Sequence, residues 1–344
     1  ARLSGSCSLR ALETGFNSQS IHHYHLGSRP IKRSTLADTN AKRDAGLFKR
    51  LCEHLLTQVH RQTRSEFQPL LYLLDSTPIP LKGQAYEAWA SAHKTHRTQG
   101  LKAHVMLAKA TTTPVFLEIT PPNVNDIEVG RDIPIERGAT YVFDKGYCHY
   151  NWWYQIHQSQ AYFVTRFKAN AGLQVIGEQP IAEPAGHILK DELIRFRNRR
   201  PGGQRVNHYY GTTLRRIVVA RPDKSTPLVL ATNDLERPAE AIAELYKQRW
   251  DIELFFKWLK QNLRIKKFLG HSENAVRTQI YIAIITYLLV YLMKQREAFK
   301  GSLTTFMITL RGHLFQRIET EYQIYYQRRR QQKTLLEKQA VLPL

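Results

Sequence analysis

Along the first half of this chain, apolar residues gather in short runs bounded by Pro, Gly and Asp, the pattern of strands covered on both faces. Residues 69–81, PLLYLLDSTPIPL, form such a run, broken by Asp75 and ended by Pro78 and Pro80. GLKAHVMLAKA (100–110) and TPVFLEITP (113–121) follow as two strands in hairpin-like succession. A helix fits 126–135, ATYVFDKGY (139–147) is a buried strand that stops at Asp144, YNWWYQIHQSQ (150–160) is a helix, and AYFVTRFK (161–168) is a fifth strand. Three strands, then helix, strand, helix, strand predict an α/β sandwich around a mixed sheet, in the ribonuclease H-like order, with Asp75 and Asp144 at strand ends. From 169 to 233 the pattern turns to short β runs between PGG and RPDKS turns, a β-rich insertion.

A different period governs Pro238 to Leu263, PAEAIAELYKQRWDIELFFKWLKQNL, which reads as one helix opened by Pro238. At 100° per residue with Tyr246 at zero, Arg249 falls at about 300°, Glu253 at about 340°, Lys257 at about 20° and Lys260 at about 320°, one polar stripe. Ala241, Leu245, Ile252, Phe255, Phe256, Leu259 and Leu263 fall beside it on the core-facing side. Asp251 lies off the stripe. The run Ile280–Met293 is strongly apolar but short of the roughly 20 residues that span a bilayer, and it reads as a buried core helix. Residues 1–65 are helical and basic, with one longer helix opening at Ser34 or Thr35. With Arg29, Lys32, Arg33, Lys42 and Arg43 they suit either a helix-turn-helix docking on DNA or a plain packing subdomain. Residues 301–344 form a basic helical C-terminal region that includes Arg328, Arg329, Arg330 and Lys333.

Composition narrows the class. The 344 residues, 42% hydrophobic, can bury a substantial core. Fifty Lys plus Arg against 29 Asp plus Glu give +21, for which nucleic acid is the usual partner, with an anionic membrane surface as runner-up. Cys7, Cys52 and Cys148 are scattered and odd in number, against a disulfide framework or a zinc site and in keeping with a reducing cytoplasm. His22, His23 and His25 lack Cys or carboxylate at ligand spacing and read as a polar loop. The first residue is Ala, no signal peptide opens the chain, and its natural start is expected to lie upstream. In the β-rich segment Arg195, Arg197, Arg199, Arg200, Arg205, Arg215 and Arg216 are candidates for DNA phosphates.

Two strand-end aspartates and one helix glutamate can surround a pair of hard divalent cations, which prefer oxygen ligands. Two such ions about 4 Å apart activate an attacking water or 3′-hydroxyl and stabilise the leaving oxygen of a phosphodiester. The spacing Tyr246-x2-Arg249-x3-Glu253-x6-Lys260, with LLDST around Asp75 and FDKGY around Asp144, resembles the Tyr-Arg-Glu-Lys signature of bacterial DDE transposases of the insertion sequence four family, over about residues 65–292. The resemblance implies that Asp75, Asp144 and Glu253 bind two Mg²⁺ ions, replaceable by Mn²⁺, and that Tyr246, Arg249 and Lys260 hold terminal phosphates, with Lys257 on the same stripe. It implies a homodimer on paired inverted-repeat ends, target DNA as second substrate, no membrane, and cleavage through a hairpin before strand transfer. In related hairpin-forming enzymes a Trp of the insertion stacks on a flipped base. All five Trp of this chain lie elsewhere, at 89, 152, 153, 250 and 258, which leaves Tyr209 or Tyr210 for that part. The rival readings are a metal-dependent nuclease without joining activity and a transposase-derived DNA-binding protein.

Overall fold

A computed structural model describes residues 8–313 apart from 25–26, 64–68, 91–94, 96–98, 182–185, 202, 204, 223, 264 and 266, together with 329–332. Cys7, His25, Arg328 and Lys333 lie outside the described residues. The strands are β1 (Leu71–Pro80), β2 (Gly100–Ala108), β3 (Thr113–Thr120), β4 (Thr140–Phe143), β5 (Tyr162–Arg166), β6 (Leu173–Glu178), β7 (Ile188–Phe196), β8 (Leu214–Val219) and β9 (Leu228–Thr232). They form one mixed sheet in the order β3-β2-β1-β4-β5-β9-β8-β7-β6. The first three strands pair antiparallel, β1, β4 and β5 run parallel, and β9 joins β5 antiparallel, so the strands of 169–233 continue the sheet begun by β1–β5.

Alternation along the strands divides the core into two layers. Leu73, Val142, Val164 and Leu230 face one side, where they pack with residues of α3 (Gly46–Thr63), α8 (Trp250–Asn262) and α9 (Glu273–Arg296). Tyr72, Leu74, Tyr141, Phe143 and Phe163 face the other, against Trp152, Trp153 and Ile156 of α6 (Tyr150–Gln158). The remaining helices are α1 (Leu9–Asn17), α2 (Arg33–Lys42), α4 (Glu87–Ala90), α5 (Asp126–Gly130), α7 (Ala239–Lys247) and α10 (Leu303–His313). The apolar run at 280–293 lies inside α9, whose 24 residues are long and apolar enough to cross a membrane; 72% of its most apolar window is buried within the protein.

Several elements depart from the sequence reading, each for a local reason. β1 continues through Pro78 and Pro80 to its end: its pairing with β4 stops at Leu74, and beyond that point β2 is its remaining strand partner, an edge where proline is tolerated. Asp75 therefore lies within β1, one residue past the last β4 pair, and not at a strand end. The long helix expected from Ser34 or Thr35 divides into α2 and α3. At that division Asn274 of α9 accepts from the Ala45 amide at 2.7 Å and donates to the Arg43 carbonyl. The helix expected over 126–135 stops at Gly130. The single helix over 238–263 is two helices, α7 and α8, joined through Gln248 and Arg249.

Candidate active site

The junction between α7 and α8 arranges the signature residues. Amides there bond three residues back: Arg249 to the Tyr246 carbonyl at 3.1 Å, Asp251 to Gln248 at 3.0 Å and Ile252 to Arg249 at 3.2 Å, a tightened turn that shifts the helical phase. On α7 the buried residues are accordingly Ala239, Ile242 and Tyr246, while Ala241 is exposed and Leu245 only half-buried, against the expected core face. On α8 Ile252, Phe255, Phe256 and Leu259 are buried as the pattern predicted.

Asp75 shares the β1 face of Leu73 and Ile79, on which α8 packs. From the start of α8, Arg249 reaches Asp75 and Glu253 together: Nη1 donates to Asp75 Oδ2 at 3.3 Å and Nη2 to Glu253 Oε1 at 2.5 Å. Lys260, two turns on from Glu253, donates to Thr77 Oγ1 at 2.5 Å. Asp144 follows β4, and its Oδ1 accepts from the Gly146 amide at 2.7 Å. The Tyr246 ring lies 6.0 Å from the Arg249 guanidinium; burial raises the Tyr246 pKa, and Arg249 and Arg166, at the end of β5, oppose that rise. Lys257 is exposed on α8. Asp251 is engaged by Lys109 away from this cluster, in keeping with its place off the stripe.

Burial pushes the Asp75 carboxyl up to about 6; the Ser76 amide and Arg249 lower it, and the negative charges of Asp144 and Glu253 raise it. Asp144 and Glu253 thus both act on Asp75, and Arg249 is the cation between Asp75 and Glu253. Tyr147, buried beside the site, is held well above its ordinary value by burial and by Asp126, Asp75 and Asp144.

The basic β segment divides in two. Arg215 and Arg216 are structural and not free for phosphates: Arg215 is 3% exposed and bidentate to Asp191 at 2.7 and 2.5 Å, and Arg216 pairs with Glu192 at 2.5 Å. Arg195 is exposed on β7, and Arg197, Arg199 and Arg200 are exposed beyond its end. None of the last three bonds to Asp75, Asp144 or Glu253. Beside them a cleft of about 470 Å³ is lined by Lys168, Asn198, Arg205 and Asn207, and Arg131, Arg205 and Lys168 add to burial in lowering the His149 pKa. Tyr209 is fully buried against Tyr154 and His157, which removes it as a stacking surface, whereas Tyr210 is exposed. His23 is a buried histidine whose Nε2 lies 3.0 Å from the Phe16 carbonyl oxygen.

Residues 66–289 match the family described as "Transposase DDE domain". The chain belongs to this family. It is 45% identical over 267 residues to a putative transposase, y4zB, of Sinorhizobium fredii, covering 77% of this chain and 70% of that protein. It is 28% identical to a probable transposase for insertion sequence element IS5377 of Geobacillus stearothermophilus, covering 71% of this chain and 62% of the relative. A putative transposase for insertion sequence element IS4SA of Synechocystis is 24% identical, covering 78% and 74%. Among solved structures, a piggyBac transposase synaptic complex with hairpin DNA is similar at a TM-score of 0.42 and 11% identity, covering 79% of this chain and 59% of that one.

DDE transposases as a family imply a divalent metal, and the residues here suit one in chemistry. Asp75, Asp144 and Glu253 offer hard oxygen donors, and two of them already share a cation in Arg249. Their spacing is not yet that of a ligand set: no group of three His, Cys, Asp or Glu among the described residues stands close enough to hold a metal ion.

Ser76, Thr77, Lys102, His104, Asp126 and Arg166 also belong to this neighbourhood and were not singled out from sequence. Only adjacency to Asp75 could have pointed to Ser76 and Thr77. The others are brought in by pairing with strands and loops distant in sequence.

Proposed function

We propose that this chain is a DNA transposase that binds the ends of a mobile element and carries out metal-dependent DNA cleavage and strand transfer. The observation that carries this reading is the Arg249 bridge between Asp75 and Glu253, with Asp144 close enough to raise the same Asp75 carboxyl. Three acids from β1, the turn after β4, and α8 would hold the divalent ions, Mg²⁺ or Mn²⁺, which supply an activated oxygen nucleophile and stabilise the leaving oxygen. Arg249, once exchanged from the carboxylates, offers its fork to a phosphate beside the cut, while Lys260 and Tyr246 hold neighbouring phosphates and Lys257 extends the grip outward.

The order β3-β2-β1-β4-β5 supports a ribonuclease H-like core made of 66–168 and 234–300, with 169–233 as a basic β-rich insertion and helical regions at 1–65 and 301–344. The exposed Arg197, Arg199 and Arg200 add phosphate contacts, and Tyr210 is the exposed aromatic on which a displaced base would stack if cleavage passes through a hairpin. Two copies on paired ends, acting in the cytoplasm on nucleoid DNA, complete the reading.

A pre-cleaved end incubated with target plasmid and Mg²⁺ tests it. Joined product identifies a transposase. Cleavage of an uncut end without joining would indicate a nuclease, and binding alone a derived DNA-binding protein.

A further inference from the structure

On the face of β1 opposite Asp75, a second cluster adjoins the site. Ser76 Oγ donates to Asp126 Oδ1 at 2.8 Å, and Lys102 Nζ donates to the same oxygen at 3.1 Å and to the Val124 carbonyl at 2.6 Å. His104 is 1% exposed; its Nε2 lies 2.9 Å from Thr120 Oγ1, while its Nδ1 has no hydrogen-bond partner and sits 3.6 Å from that Asp126 oxygen. Asp126 Oδ2 points to the turn after β4: a Cβ added to Gly146 would meet it at 2.9 Å and Asp144 Oδ1 at 2.8 Å. Asp126 thus touches the residue after Asp75 on one side and the glycine whose amide holds Asp144 on the other.

We propose that Asp126 is a positioning residue for the Asp75 and Asp144 pair, fixing the Asp144 turn to β1 through Ser76. β4 stops pairing with β1 at Leu74 and Phe143, so the β1–β2 ladder holds Asp75 while no ladder joins Asp144 to β1. The Ser76–Asp126–Gly146 contact takes over where the ladder ends. Lys102 anchors the Asp126 carboxylate, and buried His104 backs it. A side chain at Gly146 would have to displace the carboxylate ends of Asp144 and Asp126, which a Cβ there would meet at 2.8 and 2.9 Å. The role is indirect: Asp126 approaches from the face away from α8 and is not assigned as a metal ligand.

This inference rests on the reading of Asp75 and Asp144 as metal-binding acids, and the test separates the two. Mn²⁺ binding to the full chain is measured by calorimetry without DNA, well below the thermal midpoint, for wild type, Asp126→Asn, Ser76→Ala, Ser76→Thr and Asp75→Asn. Outer groups that orient metal ligands typically contribute 10- to 100-fold in affinity, so Asp126→Asn should bind about tenfold more weakly. Ser76→Ala should weaken binding in the same direction, and Ser76→Thr, which keeps the hydroxyl, should restore it. If Asp126→Asn does not fold, the two Ser76 variants decide. Wild-type affinity in both Asp126→Asn and Ser76→Ala, with loss in Asp75→Asn, overturns the role of Asp126 alone. Undiminished affinity in Asp75→Asn as well overturns the metal reading and this proposal with it.

Discussion

Arg249 is bonded to two of the three acids that would hold metal, so metal and guanidinium compete for the same oxygens. On the proposed reading, release of Arg249 from Asp75 and Glu253 would free its fork for DNA. Arg249→Lys keeps the charge and loses the two-pronged geometry. It should leave DNA affinity largely intact and slow single-turnover cleavage of a pre-bound end by about 100-fold, the scale of a small misplacement at the reacting centre. Wild-type rates would leave the guanidinium without a part in the reaction.

Asp75 gives a pH signature. Its pKa rises from 3.8 to about 6 on folding, first because of burial, so the stability it lends is full below 3.8 and is lost as pH rises through about 6. In metal-free protein, Asp75→Asn should therefore gain on wild type between pH 4 and 7, by an amount on the order of 3 kcal/mol at most. Thermal midpoints of the two proteins at pH 4, 5, 6 and 7 check this; a pH-independent gap would mean that Asp75 is not buried as described.

At the scale of elements, the junction between α7 and α8 shows what local pattern conveys and what it hides. Both halves carry sound helical periodicity, and neither Gly nor Pro marks residues 248–249, so the sequence reads as one helix. The tightened turn changes the phase, buries Tyr246 and sends Arg249 to Asp75, 174 residues away in the chain. Strands were more legible, because a sheet covered on both faces writes nearly continuous apolar runs, and Asp75 and Asp144 stand out by interrupting two of them. Other pairings around them were not legible: Asp126 of α5 lies 50 residues from Ser76, and Arg215 of β8 lies 24 from Asp191 of β7, distances that only the tertiary fold closes. Arg215 illustrates the cost of counting basic residues without their partners. It also donates to the Arg237 carbonyl at 2.5 Å, tying β8 to the start of the α7 segment. Arg215→Ala leaves the Asp191 carboxylate buried without its ion pair and should cost about 3–5 kcal/mol in chemical denaturation, with little change in the salt dependence of DNA binding. A loss below 1 kcal/mol would return Arg215 to the pool of DNA contacts.

For the whole molecule, the +21 charge is unevenly employed. Part of it is locked in internal pairs such as Arg215–Asp191 and Arg216–Glu192, and part is exposed beyond β7, where Arg197, Arg199 and Arg200 lie near the cleft with Lys168 and Arg205. Changing those three exposed arginines to Ala should reduce the log-log salt slope of DNA binding by up to about three, since each neutralised phosphate contributes about 0.9. An unchanged slope would place them in solvent in the complex. The continuous sheet joins this basic segment to β1 and β4, which carry Asp75 and lead into Asp144.

On the proposed reading, Asp75, Asp144 and Glu253 together make the metal-dependent centre of a DNA transposase. Its most direct test is Mg²⁺-dependent strand transfer of a pre-cleaved end by Asp75→Asn, Asp144→Asn and Glu253→Gln, each first shown to bind the end as wild type does. Each amide should lower the joining rate by orders of magnitude with binding retained. Near-normal joining by any one of the three would remove that residue from the centre and contradict the account.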